Sequence, residues 1–133
     1  MTDGSVRLEQ SKNANKVRVM SVDMAIDCGP QVNPERIRAQ LEGGAIMGLS
    51  MALSGEIPFG NGRVTQSNFH DYEVLPHNAS PRTSRTHLVN DDHNLPPSGV
   101  GVPPVPPVAP ALCNVIFAAT GKQVRSLPVR TVG

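Results

Sequence analysis

The side chains of this 133-residue chain that invite chemistry are four histidines, two cysteines, an acidic pair and a proline-dense run. His70, His77, His87 and His93 lie seven, ten and six residues apart. Zinc fingers and helical His-x-x-x-His pairs need other spacings. The histidines therefore read as solvated or hydrogen-bonded side chains, and no metal site is expected. Asp71 and Glu73 would share one face of a strand, the geometry of a carboxylate pair. Two charges on an exposed strand face are ordinarily just solvated, so a glycosidase-like role is not assigned. Cys28 and Cys113 lack metal-type spacing and read as free, partly buried thiols. Asn78-Ala79-Ser80 would accept a glycan only in an exported chain.

Seven of the thirteen prolines fall between Pro96 and Pro110. Pro103-x-x-Pro106 and Pro104-x-x-Pro107 match the polyproline core that SH3 and WW modules recognise. Valines fill the gaps and no basic residue flanks the run closely, which favours a buried or wall-forming loop. Gly99 and Gly101 lack the third glycine of a dinucleotide fingerprint. Twelve basic and eleven acidic residues give a net charge of +1, without the electrostatic footprint of a nucleic-acid or anionic-membrane partner. The nearly apolar stretch from Gly43 to Leu53 is about half of a bilayer span. The N-terminus carries no hydrophobic secretory segment, so a cytoplasmic setting is expected.

The elements that must position these residues follow from periodicity. Hydrophobic residues make up 38% of the chain, below the roughly 45–50% of ordinary domains, and aromatic rings are too few to build the core. Residues 1–15 are polar and are expected as a disordered leader. Residues 16–133 are expected as a single α+β domain with a mixed sheet and two main helices. Val17, Val19, Val22, Met24 and Ile26 mark a half-buried strand over 16–27. Asn33-Pro34-Glu35 opens a helix over 34–53, with Asn as cap and Pro at the first helical position. Ile37, Leu41, Ala45, Leu49 and Leu53 recur every four residues, and Gly44 and Gly48 would let another backbone approach. Glu56–Phe59 and Arg63–Gln66 form a candidate hairpin. Asp71–Leu75 and Thr83–Val89 read as strands, 110–120 as a second helix closed by Gly121, and Gln123–Val129 as a terminal strand.

Several strings are more specific. They are Asp27-Cys28-Gly29-x-x-Val32-Asn33-Pro34, Ala39-Gln40-Leu41-Glu42-Gly43-Gly44-x-x-x-Gly48-Leu49, Gln66-Ser67-Asn68-Phe69-His70-Asp71-Tyr72 and the stretch from Pro107 to Lys122. In order and spacing they resemble the C-terminal part of the molybdopterin-binding large subunit of molybdenum hydroxylases. That is the xanthine dehydrogenase and aldehyde oxidase family, and the isoquinoline 1-oxidoreductase type of β subunit in particular. The resemblance runs from about residue 17 to 129 and implies part of a molybdopterin-binding domain.

Large subunits of this family are several times longer. The resemblance therefore implies a fragment or short homologue, partnered by the missing N-terminal part of the large subunit or by a second copy, with an iron–sulfur small subunit as a further partner. It carries Gln40 to a position beside the molybdenum cofactor, where an amide donates and accepts without adding charge. Gly99, Val100 and Gly101 fall on the loop that approaches the cofactor. The family then reads Gly-Val-Gly-Glu-Pro, with the glutamate as catalytic base, and this chain has Val102 there. Family members hydroxylate a carbon next to a ring nitrogen or an aldehyde carbonyl. Valine takes no proton, and a positioned base contributes typically ~10²–10⁴-fold. The expectation is a chain inactive alone that does not retain the cofactor by itself. The alternative is a non-catalytic pseudoenzyme or interaction protein that binds a partner through the former cofactor face or the proline-rich 96–110 segment.

Overall fold

A run of buried valines breaks parity inside the first long strand: Val19 and Val22 are three residues apart, yet both are buried, as are Met24 and Ile26. A strand alternates faces every residue, so two inward side chains at odd spacing need an extra residue between them. The computed structural model, which describes residues 2–10 and 17–129, supplies it. β1 (Thr2–Gln10) pairs antiparallel with β2 (Val17–Ile26). Arg7 lies opposite Ser21 and Leu8 opposite Val19, so Met20 is skipped in the register. Such a bulge restores inward facing on both sides of the break.

β5 (Thr83–Leu88) adds to the other edge of β2 in parallel, giving the sheet order β1-β2-β5. Two helices lie on the sheet and touch each other, α1 (Pro34–Leu53) against β5 and β2, and α2 (Val108–Thr120) against β1. The core forms between these layers. Val19, Val22, Met24 and Ile26 of β2 meet Ile37, Leu41, Ala45 and Leu49 of α1 and Val108, Leu112 and Ile116 of α2. The α+β class with two helices and a mixed sheet is as expected.

Five expected elements differ. Residues 1–15 are not a leader throughout: Thr2–Gln10 is β1, because β2 presents a free edge whose backbone groups it pairs. The rest of that stretch, residue 1 and residues 11–15, lies outside the described residues. Asp71–Leu75 is a turn and coil, since the Asp71 carboxylate is drawn into local hydrogen bonds with Ser67 and Asn68 instead of facing out from a ladder. Gln123–Val129 is irregular; its described backbone tie is Val129 N–H donating to Ala52 O at 2.8 Å, a contact with a helix end and not with a strand. The hairpin is short, with β3 (Phe59–Gly60) against β4 (Arg63–Val64). α2 begins two residues before Pro110, which is tolerated because first-turn N–H groups have no helical partner. The boundary of the 16–133 domain at its C-terminal end, 130–133, is outside the described residues.

Candidate functional site

α1 organises the site. Its first turn is capped by Asn33, whose side chain accepts from Arg36 N–H at 3.1 Å, and Glu35 pairs with Arg38 at 2.7 Å. Gln40, Gly44 and Gly48 then fall four residues apart, on one stripe of the helix. The stripe is where the proline-rich segment lands. A Cβ at Gly44 would collide with the Pro104 ring, and one at Gly48 would stand 2.9 Å from both Val105 O and Val108 Cβ. Pro104 is fully buried. The glycines thus receive the segment that leads into α2, offsetting their roughly 1 kcal/mol helix penalty each.

The upstream end of the same segment is held at the end of β2. Ser98 N–H donates to Cys28 O at 3.0 Å, and a Cβ on Gly29 would stand 2.9 Å from Pro96 O. These two anchors bracket Gly99, Val100, Gly101 and Val102. Val100 packs on the core, while Gly99 and Gly101 are exposed and an added Cβ on either would meet nothing within 4 Å. Val102 is 71% exposed, and its carbonyl accepts from Val105 N–H at 3.0 Å, tightening the chain into turns. Gln40 lies one helical turn before Gly44, about 6 Å along the axis. Its side chain is exposed and bonds to no other described residue.

This geometry agrees with one sequence reading and corrects another. Within the 96–110 run, residues 101–107 form bends and turns and Pro104 packs against Gly44, as expected of a buried or wall-forming loop. Asp71 and Glu73 are not a strand-borne carboxylate pair. The Asp71 carboxylate accepts from Ser67 N–H at 2.7 Å, Ser67 Oγ at 3.1 Å and Asn68 N–H at 3.0 Å. The bond from Asn68, then those from Ser67, hold it below its ordinary pKa. The signal for this was in the sequence as a Ser-Asn-x-x-Asp turn pattern.

The histidines are dispersed: His70 lies near Asp71, His87 near Asp23 and His93 near Asp91, with the ring nitrogens at 3.5 Å or more. Among the described residues no three His, Cys, Asp or Glu side chains gather at one point. Cys28 is buried and Cys113 half-buried, both as free thiols. The carboxylates nearest in sequence to the loop are engaged elsewhere. Asp91 accepts from Gln31 N–H at 2.7 Å, and Asp92 from the backbone and side chain of Asn94 at 2.9 Å. An ion pair that the sequence did not reveal sits on the sheet face away from the helices. Asp23 holds Arg85 through bonds of 2.6 and 2.9 Å, which lowers the Asp23 pKa and raises that of Arg85.

The sequence pattern of the molybdopterin cofactor-binding domain matches residues 6–81, more than half of the chain. The chain belongs to that family. Among curated proteins it is 35% identical over 120 residues to the beta chain of isoquinoline 1-oxidoreductase from Brevundimonas diminuta, covering 90% of this chain and 15% of that one. It is 31% identical over 118 residues to a component of the nicotinate dehydrogenase of Pseudomonas putida, covering 89% of this chain and 10% of that one. Quinoline 2-oxidoreductase from Pseudomonas putida 86 shares the fold with a TM-score of 0.80 at 18% identity, over 94% of this chain and 17% of that one. The chain thus spans about a sixth or less of the length of these relatives. Within this molybdopterin cofactor-binding domain, Gln40 lies inside the matched residues and Gly99–Val102 beyond them. No helix among the described residues is long and apolar enough to cross a membrane.

Proposed function

We propose that this chain forms one wall of the molybdenum-cofactor site of a cytoplasmic hydroxylase acting on N-heterocycles or aldehydes, and that the remainder of the large subunit supplies the other walls. The observation that carries this reading is the surface around Gln40. The Gln40 amide is exposed and free of partners within the described residues, and at Gly99 and Gly101 an added Cβ would meet nothing within 4 Å. A neutral donor–acceptor group and bare backbone each suit a bulky ligand rich in polar atoms.

Bound there, the cofactor supplies the two-electron oxidation and oxygen transfer of hydroxylation. Gln40 would hydrogen-bond its polar ligands, and the backbone of Gly99, Val100 and Gly101 would approach it closely. Val102 occupies the base position with no atom that accepts a proton, so the chain is inactive by itself. An iron–sulfur small subunit is the further partner that this reading requires.

Elemental and pterin analysis of the purified chain tests the incomplete wall: neither group is expected to persist, and stoichiometric molybdenum with intact pterin would overturn it. Val102→Glu tests the base position in the complex with the rest of a large subunit. Turnover of an N-heterocycle or aldehyde should rise by roughly 10²–10⁴-fold. A complex with cofactor demonstrably bound but no gain in turnover would remove Val102 from that position.

A further inference from the structure

The strand at one end of the sheet lacks the usual guards of an exposed edge. β5 pairs with β2 on one side, and no described strand pairs with its other side. A parallel neighbour takes up alternate backbone groups, so the remaining N–H and C=O groups of β5 point outward along the sheet. Natural edges of this kind are blunted by proline, a bulge, a projecting charge or a very short strand. β5 has six residues and no proline, and its register against β2 runs without a break from Thr83 to Leu88. Its one fixed charge is turned back across the sheet. Arg85 reaches Asp23 through bonds of 2.6 and 2.9 Å, and the His87 ring lies 3.5 Å from the same carboxylate.

The cover of the core thins at the same edge. Ser84, Thr86 and Leu88 stand opposite Val22, Met24 and Ile26 and share their face of the sheet. The three β2 residues are buried, whereas the three β5 residues are only half-buried. Within that row the Ser84 hydroxyl oxygen is shut off from solvent, with no hydrogen-bond partner among the described residues. A buried hydroxyl left unpaired costs stability until a partner is supplied.

We infer that an extended segment from the remainder of the large subunit adds to β5 as a fourth strand, its main chain pairing with the outward groups of β5. Its side chains alternate. Apolar ones continue the covered row, with one polar group reaching the Ser84 hydroxyl, and polar ones lie beside Arg85 and His87. The inference rests on the reading of this chain as one piece of a larger subunit. Length favours that occupant: the chain covers 15% of the isoquinoline 1-oxidoreductase beta chain and 17% of the quinoline 2-oxidoreductase chain whose fold it shares, so most of such a subunit is left to provide a strand. A second copy fits less well. A two-fold axis that keeps both helix-covered faces on one side pairs β5 residues of like parity. The longest such overlaps set Arg85 against Arg85 or against His87 of the other copy, an unfavourable pairing of basic side chains.

Hydrogen exchange of the full chain tests the addition, with the chain alone and co-expressed with an isoquinoline 1-oxidoreductase beta chain that lacks the matching stretch. Alone, the β5 amides that do not donate to β2 should exchange rapidly at every protein concentration. In the complex they should slow by roughly a hundredfold. Ser84→Ala removes a hydroxyl that has no partner in the chain alone, so the melt of the isolated variant should hold or rise. The same variant should weaken association by roughly five-fold, and an unchanged affinity would overturn the contact at Ser84. Rapid exchange that persists in a complex retaining molybdenum would overturn the strand addition and leave the cofactor reading standing. Protected β5 amides in a complex that retains no molybdenum would support the addition and remove the cofactor wall. Failure to associate would overturn both, and protection of β5 that grows with the concentration of the chain alone would make a second copy the occupant and overturn the inference.

Discussion

Alanine substitution at three glycines of α1 separates helix propensity from tertiary contact, because the glycines share one helix and differ in what lies above them. Replacing any of them by alanine gains about 0.8–1 kcal/mol of helix propensity. At Gly43 nothing lies within 4 Å of the new methyl group, so the gain should appear whole, raising the melting temperature by roughly 3–5 °C for a chain of this size. At Gly48 the methyl would stand 2.9 Å from Val105 O and from Val108 Cβ. A backbone carbonyl and the first carbon of a buried, branched side chain cannot swing aside. Overpacking of this kind costs ~1–3 kcal/mol, and the upper half of that range applies here. Gly48→Ala should therefore be about 1–2 kcal/mol less stable than the wild type and about 2–3 kcal/mol less stable than Gly43→Ala. Gly44→Ala, against the buried ring of Pro104, should fall with Gly48→Ala. Urea and thermal unfolding of the four proteins side by side provide the measurement. If Gly48→Ala matches Gly43→Ala to within about 0.5 kcal/mol, the 104–108 segment does not rest on the helix.

Asn33→Ala removes the side-chain acceptor of the Arg36 amide and should destabilise the fold by about 1 kcal/mol, whereas Asn33→Ser should recover most of the loss in the same melt. Val102→Glu should leave the melting temperature of the isolated chain almost unchanged, because the side chain is 71% exposed and surface substitutions stay within about ±0.5 kcal/mol; a large loss would mean that Val102 is packed. The Asp23 carboxylate is held below its ordinary value of 3.8 by Arg85 and His87. A depressed acid stabilises the fold above its unfolded-state pKa and stops doing so as pH falls through the folded one. Asp23→Asn should thus be less stable than the wild type at neutral pH by an amount that shrinks below about pH 4, as read from urea midpoints across that range. A difference that stays constant down to pH 2 would show that the pair with Arg85 is not its source.

Much of this fold was legible in the chain itself, because its signals are local. Asn33, Pro34 and the four-residue recurrence from Ile37 to Leu53 specify α1 by capping and by one apolar stripe. The branched residues from Val17 to Ile26 specify β2 by alternation, even though the parity break before Val22 is explained only by the bulge at Met20. Family membership was legible too, through strings whose order and spacing depend on no three-dimensional knowledge. What required the tertiary structure is whatever depends on partners distant in sequence. The polar residues of β1 carry no strand pattern, and they pair because β2 leaves an edge unsatisfied. Gly44 and Gly48 announce a close approach but not its object, which is Pro104, Val105 and Val108 some sixty residues later. Asp71 reads locally as a strand residue, but its carboxylate accepts hydrogen bonds from Ser67 and Asn68 that hold the chain in a turn. Periodicity records which face of an element is buried; the Gly99–Val102 loop is held because two glycine contacts, at Gly29 and Gly44, pin its flanks, and no local pattern encodes those pairings.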